Sequence, residues 1–274
     1  ISACLVGSEM CIRDRRTLLT FPFLTMFIWS GGRQVMVHAL AQRMLRNPAL
    51  LLGALATSAF LGVQLWLFMW APLHGRALNV SLGYFLLPLT MLMTGRIVYK
   101  EKLSRLQNLA ALCAAFGVAN ELYQIGNFSW ETVVVALGYP VYFVLRRRLG
   151  FNNVGGLWFD MAFLLPVGLW FIYTGNLDFA ALNDHARLYL LIPLLGVIST
   201  LALLLYMMAS QILSLSLFGL LGYVEPVLLV VVALLLGESI KGAEWLTYIP
   251  IWIAVLLLIV EGVKSVYTRH NLEK

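Results

Sequence analysis

Between Arg46 and Arg76 the chain carries no Asp, Glu, Lys or Arg, and the same is true between Arg187 and Glu225. Uncharged apolar runs of this length constrain the fold more than any other feature. About 20 such residues make a helix that crosses a hydrocarbon core about 30 Å thick. Within that core an unpaired backbone group costs several kcal/mol, so only helices or closed barrels can span it. The runs are too long for barrel strands and do not alternate polar with apolar. The expected fold class is therefore all-α, a polytopic membrane protein with the lipid bilayer as its surroundings. Composition agrees: the 274 residues are 61% hydrophobic and 12% charged, whereas a soluble domain averages about 25% charged.

The formal charge of +6 would suit a nucleic-acid partner if the bases shared a face with aromatics. They are instead scattered over short loops, so no nucleic-acid partner is expected. Cys4, Cys11 and Cys113 are odd in number and lack both a CxxC spacing and a Cys/His cluster. Neither a disulfide framework nor a zinc site is suggested, and Cys113, in an apolar run, reads as a packed thiol.

The segment Leu5 to Asp14 resembles a translated sequencing-library adapter: GAG ATG TGT ATA AGA GAC gives Glu9 to Asp14 in order. On that reading residues 1–15 are not native, the natural sequence begins near Arg15 or Arg16, and further residues precede it. The other reading is a short amphipathic N-terminus.

Nine apolar runs qualify as spans: Thr17–Ser30, Ala49–Trp70, Ser81–Tyr99, Leu106–Tyr123, Thr132–Leu145, Gly156–Tyr173, Tyr189–Ala209, Leu215–Leu236 and Trp245–Val263. Alternate connections and the C-terminal tail carry Arg33, Arg43, Arg46, Lys100, Lys102, Arg105, Arg146, Arg147, Arg148, Lys264, Arg269 and Lys274. The opposite connections carry only Arg76, Arg187 and Lys241, a bias of twelve against three. The basic side is expected to be cytoplasmic, with the C-terminus inside. Nine spans would then leave the N-terminus outside, and a tenth helix upstream would restore both termini to the cytoplasm.

Two segments echo one another. Ser81-Leu82-Gly83-Tyr84 is followed by Pro88, an apolar run and Lys100-Glu101. Ser216-Leu217-Phe218-Gly219 is followed by Gly222-Tyr223, Pro226, an apolar run and Gly237-Glu238. The charge count puts Glu101 inside and Glu238 outside, and similar segments of opposite orientation mark an inverted repeat.

With these residues the chain resembles the drug/metabolite transporter superfamily, EamA family, and within it the RarD-like transporters. Ser81 to Phe85 with Pro88, Gly156 through Asp160 to Leu164-Leu165-Pro166, Tyr142 leading into Arg146-Arg147-Arg148, and Pro226 to Gly237-Glu238 carry the likeness. It runs from about Arg16 to the C-terminus. The resemblance implies ten helices in two inverted five-helix halves around a central cavity for small solutes. It divides the chain into a first half, 16–123, without its first helix, and a second half, 124–274. It favours an acid at Asp160. The first copy departs from it, with Lys100-Glu101 where the family favours Gly-Glu.

Ionisable groups at membrane depth are costly and are functional candidates by default. Asp160 lies one turn into its span. A carboxyl partly withdrawn from water there could bind a proton or a cationic substrate group, or could rest at the interface. Glu225 precedes Pro226 in mid-span, where proline frees a carbonyl and lets a helix break. Asp160 and Glu225 are the proton-coupling candidates. With Gln64, Trp66, Tyr84, Tyr142 and Tyr223 they make up the expected substrate-binding set. Structural roles stand beside these: helix-to-helix contact for Gln64 and Trp66, a hydrogen-bonded structural acid for Glu225. Arg96 reads as snorkelling to the headgroups, and Asn120 and Glu121 as interfacial.

His38, His74, His185 and His270 fall in loops or the tail with no ligand spacing, and no GxSxG, Walker A or GxGxxG occurs. No catalytic residue, metal or cofactor is expected. The expected function is inner-membrane transport, as an exporter of a small metabolite or drug-like solute, possible proton coupling included. A lipid-modifying membrane enzyme and a truncated, non-functional fragment are the alternatives. The oligomeric state stays open, a homodimer included.

Overall fold

A computed structural model describes residues 20–126, 129–174, 188–235 and 245–272. Residues 1–15, Arg187, Lys241, Gly237-Glu238 and the tail beyond 272 lie outside them, and so do the expectations placed there. The described residues are helical throughout, joined by short turns. The helices are α1 (Thr20–Ser30), α2 (Gln34–Arg46), α3 (Pro48–Leu73), α4 (Ala77–Val98), α5 (Arg105–Ile125), α6 (Trp130–Leu149), α7 (Val154–Thr174), α8 (Leu188–Ile212), α9 (Leu215–Leu221), α10 (Val224–Leu235) and α11 (Trp245–Leu272). Among the described residues three stretches, Pro48–Leu73, Ala77–Val98 and Trp245–Gly262, are long and apolar enough to cross a bilayer by length and composition. The described residues of the apolar runs fall on helix, apart from Tyr99 and the break at Gly222-Tyr223.

Local chemistry sets the boundaries. Pro48 opens α3, where its missing N–H is no loss, and the Asn47 side chain accepts from Ala49 N at 3.0 Å. Ser104 and Gln107 form a reciprocal capping box at the start of α5, satisfying two orphan donors of its first turn.

Two elements differ from the sequence expectation. The first is α2, which occupies what reads as a loop because its arginines dominate. Val37, Leu40 and Met44 recur at helical spacing and are its buried residues, the pattern of an amphipathic helix. The second is the run Leu215–Leu236, which divides into α9 and α10 at Gly222-Tyr223. Pro226 is the cause: it has no N–H to give, and its ring would collide with the carbonyl of Gly222, four residues earlier.

The chain divides into two compact units, Ile1–Met69 with Tyr142–Ile212, and Trp70–Val141 with Leu213–Lys274. The division passes through α3 and α6. In the first unit a core of Leu24, Ile28, Val37, Leu157, Met161 and Leu204 joins α1, α2, α7 and α8. In the second, Ala110, Ala114, Leu220, Ile251 and Ala254 join α5, α9 and α11, together with Tyr223 at the break between α9 and α10.

The two echoing segments pack against each other within the second unit. A Cβ on Gly219 would lie 2.5 Å from Cβ of Met91 and 3.1 Å from the Pro88 carbonyl oxygen, so only glycine permits this approach of α9 to α4. Ser216 Oγ donates to the Leu92 carbonyl at 3.2 Å. Lys100 adopts a left-handed backbone, φ 53°, the region glycine enters without steric cost. This accounts for Gly-Glu as the family's choice where this chain has Lys-Glu. The turn brings Glu101 to the start of α9, where its two oxygens accept from Leu215 N and Ser216 N, both at 2.8 Å. The carboxylate thus satisfies two orphan donors at the positive end of a helix.

Candidate functional site

The expected site residues fall into two groups, one in each unit. In the first unit Asp160, on α7, is 2% exposed. Its Oδ1 accepts from Ser58 Oγ at 3.0 Å and Thr57 Oγ1 at 3.1 Å, both on α3. Its Oδ2 accepts from the Tyr142 hydroxyl at 2.9 Å and pairs with Arg146 Nη1, both on α6. A carboxylate offers about four lone-pair positions, and here four donors point at them.

Arg146 is itself fully buried. Its Nη1 also donates to the Tyr142 hydroxyl at 2.8 Å, and its Nη2 donates to the carbonyls of Phe151 at 2.7 Å and Asn153 at 3.1 Å. The guanidinium lies 5.2 Å from the Tyr142 ring centroid. The planar fork of arginine suits several fixed acceptors at once, and the bends at Phe151 and Asn153 supply them. Three helices and the α6–α7 turn are therefore tied by one ion pair and its hydrogen bonds.

Sequence reasoning placed Arg146 among the cytoplasmic loop charges, and that is corrected here: it lies inside the fold. Without it the basic bias is eleven against three and keeps its sign. The signal that could have found it is spacing. Tyr142 and Arg146 are four apart on one helix face, and Asp160 follows one short turn later. Thr57 and Ser58 were also missed, because hydroxyls in an apolar helix read as neutral filler.

In the second unit Glu225, in the first turn of α10, is exposed. It lies within electrostatic reach of Tyr139, which is close to Tyr84; the two tyrosine rings are 6.4 Å apart. Tyr84 and Glu225 are thus brought together through Tyr139, which the sequence did not single out. It follows Gly138, as Tyr84 follows Gly83 and Tyr223 follows Gly222. Tyr223 is placed differently: it is buried in the core, its hydroxyl donating to the Phe85 carbonyl at 3.0 Å.

Gln64 is buried and Trp66 is 41% exposed, as expected for residues two apart, which face different sides of a helix. Asn120 donates to Thr247 Oγ1 at 2.9 Å, and Thr247 donates to Glu121 at 3.0 Å, a polar link between α5 and α11. Among the described residues no group of three or more His, Cys, Asp or Glu is placed to hold a metal.

No known family profile matches the chain. Relatives do. It is 44% identical over 243 residues to the chloramphenicol-sensitive protein RarD of Pseudomonas aeruginosa, covering 88% of this chain and 81% of that one. It is 38% identical over 256 residues to an uncharacterised transporter of Pasteurella multocida, covering 93% and 88%. A solved crystal structure matches with a TM-score of 0.66 at 17% identity, covering 94% of this chain and 92% of that one, and so shares its fold. A membrane protein with long apolar helices and relatives named as transporters over most of its length, this chain belongs to the RarD-like family of drug/metabolite transporters.

Proposed function

We propose that the chain is an inner-membrane exporter of small metabolites or drug-like solutes, working by alternating access through a central cavity and coupled to protons through Glu225. It supplies nine helices of a ten-helix, five-plus-five inverted repeat, with halves at 16–123 and 124–274 and the C-terminus in the cytoplasm. The charge bias supports the orientation. The packing of the echoing segments across Gly219 and Ser216 supports the repeat. A homodimer is compatible with this reading and is tested by the mass of the purified particle.

The observation that carries the coupling is the contrast between the two candidate acids. Asp160 has its acceptor positions occupied by Thr57, Ser58, Tyr142 and Arg146, which suits a structural charge. Glu225 is exposed beside tyrosines, next to a proline-broken helix. That is the arrangement in which unwound backbone and an acid serve a midplane site. Tyr84 and Tyr139 would give a solute ring faces and hydroxyls. Gln64, Trp66, Tyr142 and Tyr223 remain members of the proposed binding set, with Tyr142 and Tyr223 acting from behind it.

The test is flux in proteoliposomes under an imposed pH gradient, with amino acids and amphenicols as the solute panel. The amphenicols are included because of the name of the Pseudomonas relative. Gradient-driven flux that Glu225→Gln abolishes supports the proposal. Flux that ignores the gradient and survives both Glu225→Gln and Asp160→Asn sinks the coupling and leaves a facilitated carrier.

A further inference from the structure

We infer that the exposed face of α2 is a binding surface for anionic phospholipid headgroups. One face of the helix is fixed: Leu40 and Met44 are buried with Ala54 and Phe151, and Val37 with Val154 and Leu157. The remainder exposes Arg43 and Arg46 together with Val35, at 69%, and Leu45, at 84%. A Cβ on Gly150 would lie 3.5 Å from Arg43 Nη1. This sets Arg43 at the end of α6, whose last turn carries the exposed Arg148.

The sequence has no Asp or Glu between Asp14 and Glu101, so α2 has no counter-charge of its own or on its neighbours α1 and α3. The ion pairs Arg76–Glu131 and Arg146–Asp160 do not involve these arginines. A water-facing helix gains nothing by exposing Val35 and Leu45, and a hydrocarbon-facing one gains nothing by exposing Arg43 and Arg46. At headgroup depth both are accommodated. The apolar side chains enter the acyl boundary, and the guanidinium charges lie beside the lipid phosphates. Net negative lipid is favoured over zwitterionic lipid because basic side chains near such a surface each gain about 1 kcal/mol. The surface stands independently of solute and coupling. Because α2 packs on α7, which carries Asp160, the bound lipid would brace the helix that holds the ion pair.

The experiment titrates the purified full chain in micelles with short-chain phosphatidylglycerol and, in parallel, with phosphatidylcholine of equal chain length, following the thermal midpoint. Phosphatidylglycerol is expected to raise the midpoint more. R43Q/R46Q should weaken that response roughly thirty-fold, from about 1 kcal/mol per side chain at 1.4 kcal/mol per tenfold. R43K/R46K should keep most of it, since charge is retained. If the glutamine variant does not fold, wild type decides the matter through salt. The phosphatidylglycerol advantage should fade toward about 1 M salt, where the Debye length is near 3 Å. Equal midpoints in the two lipids, a glutamine variant that responds like wild type, a lysine variant as weak as the glutamine one, or an advantage that salt leaves untouched would each overturn the inference.

Discussion

Asp160 and Glu225 are both carboxylates in apolar helices, yet the two units treat them in opposite ways. Around Asp160 every acceptor position meets a donor, and the counter-charge, Arg146, meets two carbonyls besides. Around Glu225 the helix is broken, the side chain is exposed, and Tyr139 lies within electrostatic reach. A saturated buried pair resists exchange with any ligand, because each partner removed strands the other. An exposed acid at a helix break keeps its oxygens available. The comparison teaches that membrane depth alone does not distinguish the two acids; the count of donors already committed to each does.

The largest effect expected is from Asp160→Asn. It leaves Arg146 buried without its counter-charge, at a cost of about 3–5 kcal/mol, read as a lowered midpoint in thermal unfolding of the purified protein. Replacing both partners together by apolar residues of similar size should cost less than the single change. If Asp160→Asn keeps the wild-type midpoint and loses only flux, the comparison breaks and Asp160 is the working acid. Tyr142→Phe comes next. It removes a donor to Asp160 and an acceptor for Arg146, and a hydrogen bond to a charged group is worth about 1.5–3 kcal/mol. Tyr223→Phe follows at about 0.5–1.5 kcal/mol, for one neutral bond to the Phe85 carbonyl. A Tyr223→Phe loss exceeding that of Tyr142→Phe would show that the ion pair adds little to its hydrogen bonds.

How much of this was legible in the sequence follows from what each signal reports. Apolar runs report burial or lipid, and they placed the helices; Leu215–Leu236 was read as one span, although Pro226 lets a helix break there. The relation between residues 100 and 101 could be read only as a departure from the family. The left-handed backbone at Lys100 and the two amides that meet Glu101 are what give that position its meaning. Arg146 was misread because charge next to Arg147 and Arg148 looks like a loop, whereas the rotation of a helix by 100° per residue separates neighbours. Arg146 turns inward to Asp160, while Arg148 stays exposed. The same ambiguity hid α2, whose periodic Val37, Leu40 and Met44 were outweighed by its arginines. Asp160 and Tyr142 were each singled out, but the α3 partners of Asp160, Thr57 and Ser58, lie about a hundred residues away in sequence, and only the fold brings them near.

The smallest effect on stability, and the most informative for function, is expected from Glu225→Gln. The side chain is exposed, and glutamine keeps its shape and its hydrogen-bonding reach, so the thermal midpoint should stay at the wild-type value. Flux driven by a pH gradient should nonetheless be lost, while exchange of solute across liposomes with no gradient should persist. This separation cannot come from unfolding, which would abolish both. Tyr139→Phe sharpens it: the ring remains for solute contact, and only the hydroxyl facing Tyr84 and Glu225 is removed. If coupling depends on the acid and its tyrosine neighbours as a set, Tyr139→Phe should reduce gradient-driven flux and leave the midpoint nearly unchanged. Were Tyr139→Phe to leave both unaffected while Glu225→Gln abolished coupling, the acid would act alone and the tyrosines would be wall. Were Glu225→Gln to lower the midpoint as Asp160→Asn is expected to, the two acids would be equivalent structural charges, and the difference drawn between the two units would not hold.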